Sequence, residues 1–300
     1  MDKFEAMRVF CAVIEAGGFS SAAEQMGLST SAVSRHVAQL EAHLKVRLLN
    51  RTTRSMSPTD EGFAYFERCT QLLADLEETE DSVSGEARHP RGRLRLTAPI
   101  ALATARLAPA FSAFAAAYPD ITLDIVLSDT IADFAEEGLD LAIRVGRVGS
   151  ENLVARRVGA TTILLAASPA YLARAGTPSS PADLSRHTCL TYAYASSSNQ
   201  WVFENADGTP LNVRIGGLIN ANNGSLLGEM AVAGSGIVYE PCFILQPLID
   251  RGLLVRLLPE LPTPRLPIHV VYPTRRHLSA KVQAMTGFLT EWFARPAEPF

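Results

Sequence analysis

Residues 20–44, SSAAEQMGLSTSAVSRHVAQLEAHL, constrain the fold more than any other stretch of this chain. Ala22, Ala23 and Met26 are small or apolar and suit the inner face of a short helix. Gly27 follows where a helix ends in a left-handed residue, a conformation that glycine adopts without a Cβ penalty. Ser29 or Thr30 can cap a second helix, whose first amides lack intrahelical acceptors. In that helix Val33, Val37, Leu40 and Leu44 recur at three- and four-residue spacing, so one stripe faces a core. The opposite side carries Thr30, Ser31, Ser34, Arg35, His36 and Gln39. Two helices joined by so tight a turn have the layout of a helix-turn-helix, whose second helix enters the major groove of DNA. Short hydroxyls at its start let it approach phosphate, and Arg35, His36 and Gln39 can reach base edges. The same spacing also suits an ordinary surface helix of a three-helix module, or a protein-binding module.

The flanks favour the first reading. Residues 4–16 form an apolar-striped helix through Met7, Phe10, Val13 and Ile14. Residues 45–55, KVRLLNRTTRS, alternate unevenly, are basic and look like a short β-wing. Between Leu28 and Ser57 five Lys or Arg face a single acid, Glu41, whereas the whole chain has a net charge of −4. A basic island in an acidic protein is the footprint of phosphate contact, and Arg51 and Arg54 are its candidates; a solvated charged loop is the plainer alternative.

The run AVIEAGGFSSAAEQMGLSTSAVSRHVAQLEAHLKVRLLNRTTRSMSPTDEG resembles the N-terminal signature of the LysR-type transcriptional regulators. The resemblance covers nearly all of the first 62 residues. The departures from the usual pattern are Thr30 for glutamine, Lys45 for glycine, Leu49 for phenylalanine and Pro58 for leucine. Thr30 stands where base contact is expected, so an unusual DNA sequence preference is implied.

Three hundred residues imply two domains, and an apolar content of 47% is ample for their cores. No run of some 18 apolar residues stands out, so no membrane span is expected. The N-terminus lacks a basic start, an uninterrupted apolar core and a cleavage site; no secretory signal and a cytoplasmic location are expected. Cys11, Cys69, Cys189 and Cys242 lie far apart without metal-ligand or redox spacing. They read as buried thiols. A Cys189–Cys242 redox pair has no neighbouring basic residues to favour a thiolate.

Thr59 can cap a long helix over about Asp60–Ser84, with Asp60 and Glu61 at the positive end of its dipole. Phe66, Cys69, Leu73, Leu76 and Val83 give it a coiled-coil-like seam. The resemblance makes this the dimerisation helix; packing on its own domain is the alternative. A polar linker with Pro90 and Gly92 follows. Beyond it, strands are expected over 94–98, 121–127, 140–145, 163–167, 215–220, 236–239, 255–257 and 268–272. Helices are expected over 103–118, from Ser180-Pro181, over 225–233 and over 279–294. Such alternation implies open α/β sheets covered by helices.

Segments 94–99, 107–129, 138–146, 167–178, 223–224 and 271–289 resemble the effector-binding domain of the same regulators, which has the periplasmic-binding-protein fold. The fold class is therefore α/β. A winged helix-turn-helix (1–58) and a linker helix (59–89) lead to a two-subdomain effector domain (90–300). Subdomain I takes about 90–163 and 270–300, and subdomain II about 164–269, with crossovers near 163–168 and 266–271 and hinge motion about them.

Ligands of open α/β sheets sit beyond the carboxyl ends of strands. That singles out Thr97, Pro99 and Ile100, whose backbone amides suit an anion; Ser128 at the end of the 121–127 strand; and Val145, Gly146 and Arg147. By family analogy Asn223 faces the same cleft from the other subdomain, and Trp201 supplies an aromatic wall. Arg147 is the cation best placed to pair with a carboxylate effector. Thr97 and Ser128 equally suit helix caps, Trp201 a core and Arg147 the surface.

No Walker-type loop, nucleophile elbow, dinucleotide fingerprint or histidine–cysteine metal cluster appears, so no enzyme, metal or cofactor is expected. The whole reads as a transcriptional regulator binding double-stranded DNA and a small-molecule effector, with a carboxylate expected. The resemblance implies a homodimer or homotetramer, with RNA polymerase as a further partner. A solute-binding or transport-related protein using the same C-terminal fold is the alternative.

Overall fold

The structure, a computed structural model, describes residues 2–51, 56–84, 90–130, 134, 137–148, 152–194, 200–205, 207–274 and 278–295. The chain divides into two compact units, Met1–His89 and Pro90–Phe300.

In the first unit Asp2 caps α1 (Lys3–Glu15), its Oδ1 accepting from the Phe4 amide at 2.9 Å. Helix α2 (Phe19–Met26) ends at Gly27, which is left-handed at φ 64°. Ser29, rather than Thr30, caps α3 (Thr30–Leu44), accepting from the Ala32 amide at 3.2 Å. Val33, Val37 and Leu40 of α3 are buried with Ala6, Val9, Phe10 and Val13 of α1 and with Ala22 and Ala23 of α2. Helix α3 terminates at Lys45, whose φ of 56° is left-handed; a side chain there costs roughly 1 kcal/mol that glycine would avoid.

The wing is shorter and later than its basic composition suggests. It comprises β1 (Leu49–Arg51) and β2 (Met56–Pro58), with Leu49 opposite Pro58. Glu41 of α3 sets its start by accepting from the Leu48 and Leu49 amides at 2.8 and 3.1 Å. Thr59 then caps α4 (Asp60–Ser84), its Oγ1 accepting from the Gly62 amide at 2.9 Å and donating to the Arg47 carbonyl at 2.8 Å. Gly62 lies against the wing so closely that a Cβ would stand 1.9 Å from the Leu48 carbonyl oxygen.

Two expected seam residues of α4, Cys69 and Leu73, are buried in the core of their own unit, with Phe66 packed beside them. Among its described side chains, the large apolar ones that α4 exposes are Phe63 and Leu72. Cys11 and Cys69 share this core, and the Cys11 sulfur lies 3.9 Å from Thr70 Oγ1, a proximity that sequence spacing did not indicate.

The second unit is built on two five-stranded sheets. Strand β3 (Gly92–Ala98) leads into α5 (Ile100–Leu102), a π-helical turn (Ala103–Leu107) and α6 (Ala108–Ala117). The expected 103–118 helix thus begins three residues earlier, and the π turn lets Leu102 and Leu107 both reach the core. By length and composition Ile100–Ala117 could cross a membrane, contrary to the expectation of no such run. Its Leu102, Leu107, Phe111 and Phe114 are instead buried against the sheet. Strands β4 (Ile121–Leu127), β5 (Leu141–Val145) and β6 (Leu153–Thr161) follow. The first sheet has the order β4-β3-β5, then a late strand, then β6, with β3 parallel to both neighbours.

The chain crosses to the second sheet through Thr162. There follow β7 (Ile163–Ala167), α7 (Pro169–Ala175), a 3₁₀ turn (Pro181–Arg186), β8 (Thr188–Tyr192) and a hairpin of β9 (Gln200–Glu204) and β10 (Pro210–Arg214). Next come β11 (Gly216–Ala221), α8 (Gly224–Val232), β12 (Ile237–Pro241), α9 (Cys242–Asp250) and β13 (Val255–Arg256). The order in the second sheet is β11-β8-β12-β7-β13. The chain then returns: β14 (Leu266–Pro273) lies antiparallel between β5 and β6, and α10 (Ala280–Ala294) closes the first core. The helix expected from Ser180 is only the 3₁₀ turn. The Asp183 carboxylate accepts from the amides and hydroxyls of Ser179 and Ser180, which hold it below the usual carboxylate range.

Inside the first core Lys281 and Asp140 form a buried ion pair at 3.0 Å. Lys281 Nζ also donates to the Arg93 carbonyl at 2.8 Å, and Asp140 accepts from the Arg95 amide at 2.9 Å. The pair joins α10 to β3 and to the residue before β5.

Candidate nucleic-acid interface and effector cleft

On α3 the apolar stripe is turned inward, and Thr30, Ser31, Arg35 and Gln39 are exposed. Ser31, Arg35 and Gln39 follow at four-residue spacing, so they descend one side of the helix. Ser34 and His36 are half-buried. The His36 Nδ1 is buried without a hydrogen-bond partner among the described residues, so its ring is less available to a groove than the neighbouring side chains. The Ser31 hydroxyl lies 3.0 Å from that of Ser29. Arg51 ends β1 opposite Met56, and Arg54 lies outside the described residues. Lys45 and Arg47 are exposed at the end of α3. The surface thus presents hydroxyls at a helix start, two long donors along one face, and cations at its end.

In the second unit Thr97 is fully buried, and its Oγ1 has no partner among the described residues, so it caps none of the described helices. Pro99 is the N-cap residue of α5 and makes no side-chain bond there. The Ile100 amide donates to Asp129 Oδ1 at 3.2 Å, and Asp129 Oδ2 accepts from Asn223 Nδ2 at 3.2 Å. Asn223 also caps α8, its Oδ1 accepting from the Leu226 amide at 2.9 Å. Asp129 therefore gathers the start of α5 and the start of α8, one from each sheet. The Ser128 hydroxyl lies 2.7 Å from that of Thr130 and accepts from the Thr130 amide, making a turn rather than a helix cap.

Beside this point are side chains that strand-end reasoning passed over. Arg144 donates to the Thr130 carbonyl at 3.0 Å; burial lowers its pKa, while Asp129 and Glu137 oppose that. Tyr192 has its pKa raised, first by burial and then by Asp129 and Glu240. Glu240, only 5% exposed, has its Oε1 buried without a partner among the described residues. Burial, and secondarily Asp129, pushes the Glu240 carboxyl up to about 8. Arg144 and Asp129 lie inside the quoted motifs GLDLAIRVG and LSD, whereas no sequence signal marks Glu240.

One expected member of the cleft is placed otherwise. Trp201 is 7% exposed and packs in a core with Tyr171, Phe203 and Leu257, its ring 5.2 Å from that of Tyr239. It is a hairpin core residue, because β9 turns its alternate side chains Trp201 and Phe203 inward. Arg147 is exposed. Val145 and Gly146 are half-buried, and the Gly146 amide donates to the Pro267 carbonyl at 2.8 Å. Cys189 is buried in the Trp201 core and its thiol is pushed up to about 12 by burial, while the Cys242 sulfur lies 3.3 Å from Thr161 Oγ1.

Comparison with known proteins matches residues 4–63 to the bacterial regulatory helix-turn-helix of the LysR family and residues 87–294 to the LysR substrate-binding domain. The chain belongs to the LysR family of transcriptional regulators. It is 40% identical over 286 residues to an HTH-type transcriptional regulator of Haemophilus influenzae, covering 95% of this chain and 99% of that protein. It is 38% identical over 299 residues to an HTH-type transcriptional repressor of Pseudomonas aeruginosa, covering 99% of this chain and 94% of that one. Among solved structures, CrgA from Neisseria meningitidis superposes with a TM-score of 0.60 at 34% identity, over 97% of this chain and 99% of CrgA. The architecture is therefore that of a LysR regulator: a DNA-binding helix-turn-helix unit and a two-subdomain α/β substrate-binding unit. The relatives are transcriptional regulators, not enzymes.

Proposed function

We propose that this LysR regulator reads duplex DNA through Thr30, Ser31, Ser34, Arg35, His36 and Gln39 of α3, with Arg51 and Arg54 of the wing on phosphate. The observation that carries the reading is the division of α3: Val33, Val37 and Leu40 buried, Thr30, Ser31, Arg35 and Gln39 exposed. Two such helices in a dimer would engage half-sites about one helical turn apart. Exposed Phe63 and Leu72 on α4 support self-association, and the family resemblance supports a tetramer, cytoplasmic action on promoters and contact with RNA polymerase.

A small-molecule effector in the cleft at Thr97, Ile100, Ser128, Asp129, Arg144 and Asn223 would bias one arrangement of the two sheets, by as much as its affinities for the two arrangements differ. A carboxylate effector was expected from Arg147 and the Ile100 amide. Arg147 is exposed and Asp129 already engages that amide, so neither supports this class strongly.

The deciding experiment is titration of the chain's own upstream intergenic DNA with wild type and Arg35→Ala at several salt concentrations. The variant should lose roughly tenfold in affinity and relax sequence preference, while both proteins weaken steeply with salt. Unchanged affinity and preference would reject α3 as the reader.

A further inference from the structure

The charges of the cleft argue for a ligand class. Asp129 holds the Ile100 amide and the Asn223 side-chain amide, so the place where a ligand anion would meet backbone donors is filled by a carboxylate of the chain. Glu240, on the other sheet, presents a second carboxyl whose Oε1 is buried and has no partner among the described residues. Its Oε2 packs against Gly224 at the start of α8, where a Cβ would come within 2.6 Å. Arg144 is a cation beside Asp129 and Tyr192. Its guanidinium already donates to the Ile143 and Thr130 carbonyls at 2.9 and 3.0 Å. Tyr192 stands among Asp129, Glu240 and Arg144. The half-exposed Tyr194 meets Tyr192 edge-on, ring centroids 5.8 Å apart.

We propose that the cleft binds an organic ammonium ion, held between the carboxylates of Glu240 and Asp129 and flanked by the Tyr192–Tyr194 pair. The proposal rests on reading the cleft as the effector site and adds the chemistry of its ligand. An ammonium brings three donors to a buried acceptor that lacks one, and aromatic faces attract cations. A ligand carboxylate would instead meet the Asp129 carboxylate and would hold Glu240 in its protonated form, with like-charge and desolvation costs.

A proton is coupled to binding. The groups facing Glu240 are Asp129 across the cleft and Tyr192 on β8, with Arg144 beside both. Strand β7 carries no titratable side chain, α8 carries only Glu229, and α9 carries Cys242 and Asp250. With its carboxyl raised to about 8, Glu240 holds its proton at neutral pH in the free protein. An ammonium entering the site replaces that proton, which passes to water, leaving a carboxylate–ammonium pair. Apparent affinity should then rise by up to about tenfold per pH unit between about pH 6 and 8. A carboxylate ligand would show the reverse slope, because it favours protonated Glu240.

The test uses the full chain and size-matched probes: benzylamine, benzyl alcohol and benzoate, and butylamine, butanol and butyrate. Thermal shift and calorimetry are run across that pH range in buffers of different ionisation heat. The amines should bind with release of about one proton and tighten as pH rises. Glu240→Gln should weaken them roughly tenfold and flatten the slope, with Asp129→Asn as a second variant should the first fold poorly. Preferential binding of the carboxylates, or amine binding untouched by both variants, would overturn the ammonium assignment and leave the cleft standing. Failure of every probe to bind would overturn the cleft reading together with the assignment.

Discussion

Asn223 and Asp129 join the two sheets of the effector unit through one hydrogen bond of 3.2 Å between Nδ2 and Oδ2. The same Asn223 caps α8 through its Oδ1. Asn223→Asp keeps a capping oxygen but replaces the donor with a charge facing Asp129. It should cost about 1–2 kcal/mol at neutral pH, less in acid, where one carboxyl takes a proton. Urea denaturation at two pH values measures both.

Lys281→Ala should be far costlier. It leaves Asp140 buried without its cation, a loss of roughly 3–5 kcal/mol. The Lys281→Met/Asp140→Asn double variant should recover part of it. A double variant no more stable than Lys281→Ala would show that the pair is not the source of the loss.

Gly62→Ala should pry α4 from the wing, since the added Cβ meets the Leu48 carbonyl rather than a yielding side chain. A stability loss of about 1–3 kcal/mol and weakened DNA binding are expected. Thermal melts and band shifts suffice to check it.

Lys45→Gly should act in the opposite sense. Relief of the left-handed strain at φ 56°, partly offset by the flexibility of glycine when unfolded, should stabilise the chain by about 0.5 kcal/mol. A lower melting temperature would contradict it.

Glu240 makes a pH signature of its own. Its carboxyl is raised from the ordinary 4.5 to about 8, so the folded chain binds more protons than the unfolded chain between those limits. Stability should fall as pH climbs through that window, by up to about 1.4 kcal/mol per unit, and level off above it. Glu240→Gln should remove this slope and be the more stable protein at mildly alkaline pH.

Much of the reading unit was legible because its information is local. Gly27 ends α2 and Val33, Val37 and Leu40 line the core as their spacing implies. Cys69 and Leu73 were legible as an apolar stripe but not as to what covers it, since periodicity gives a face and not a partner. In the effector unit β6 lies at a sheet edge with a consecutive exposed run, 154–157, and α9 contains Pro247, so neither shows a clean period. Glu240 and the Lys281–Asp140 pair were invisible for another reason. Their meaning comes from burial and from contacts across long sequence separations, which no window of sequence contains. Trp201 was misplaced because an aromatic residue in a short strand reads alike whether it lines a cleft or fills a core.

Between β6 and β7 the crossing consists of Thr162 alone, whose carbonyl accepts from the Cys242 amide at 2.9 Å. Any rotation of one sheet against the other must pass through the torsions of that residue and of the longer return between β13 and β14. With so few rotatable bonds shared, the accessible movements reduce to swings about a nearly fixed axis, and an occupant lodged far from that axis gains the most leverage over them.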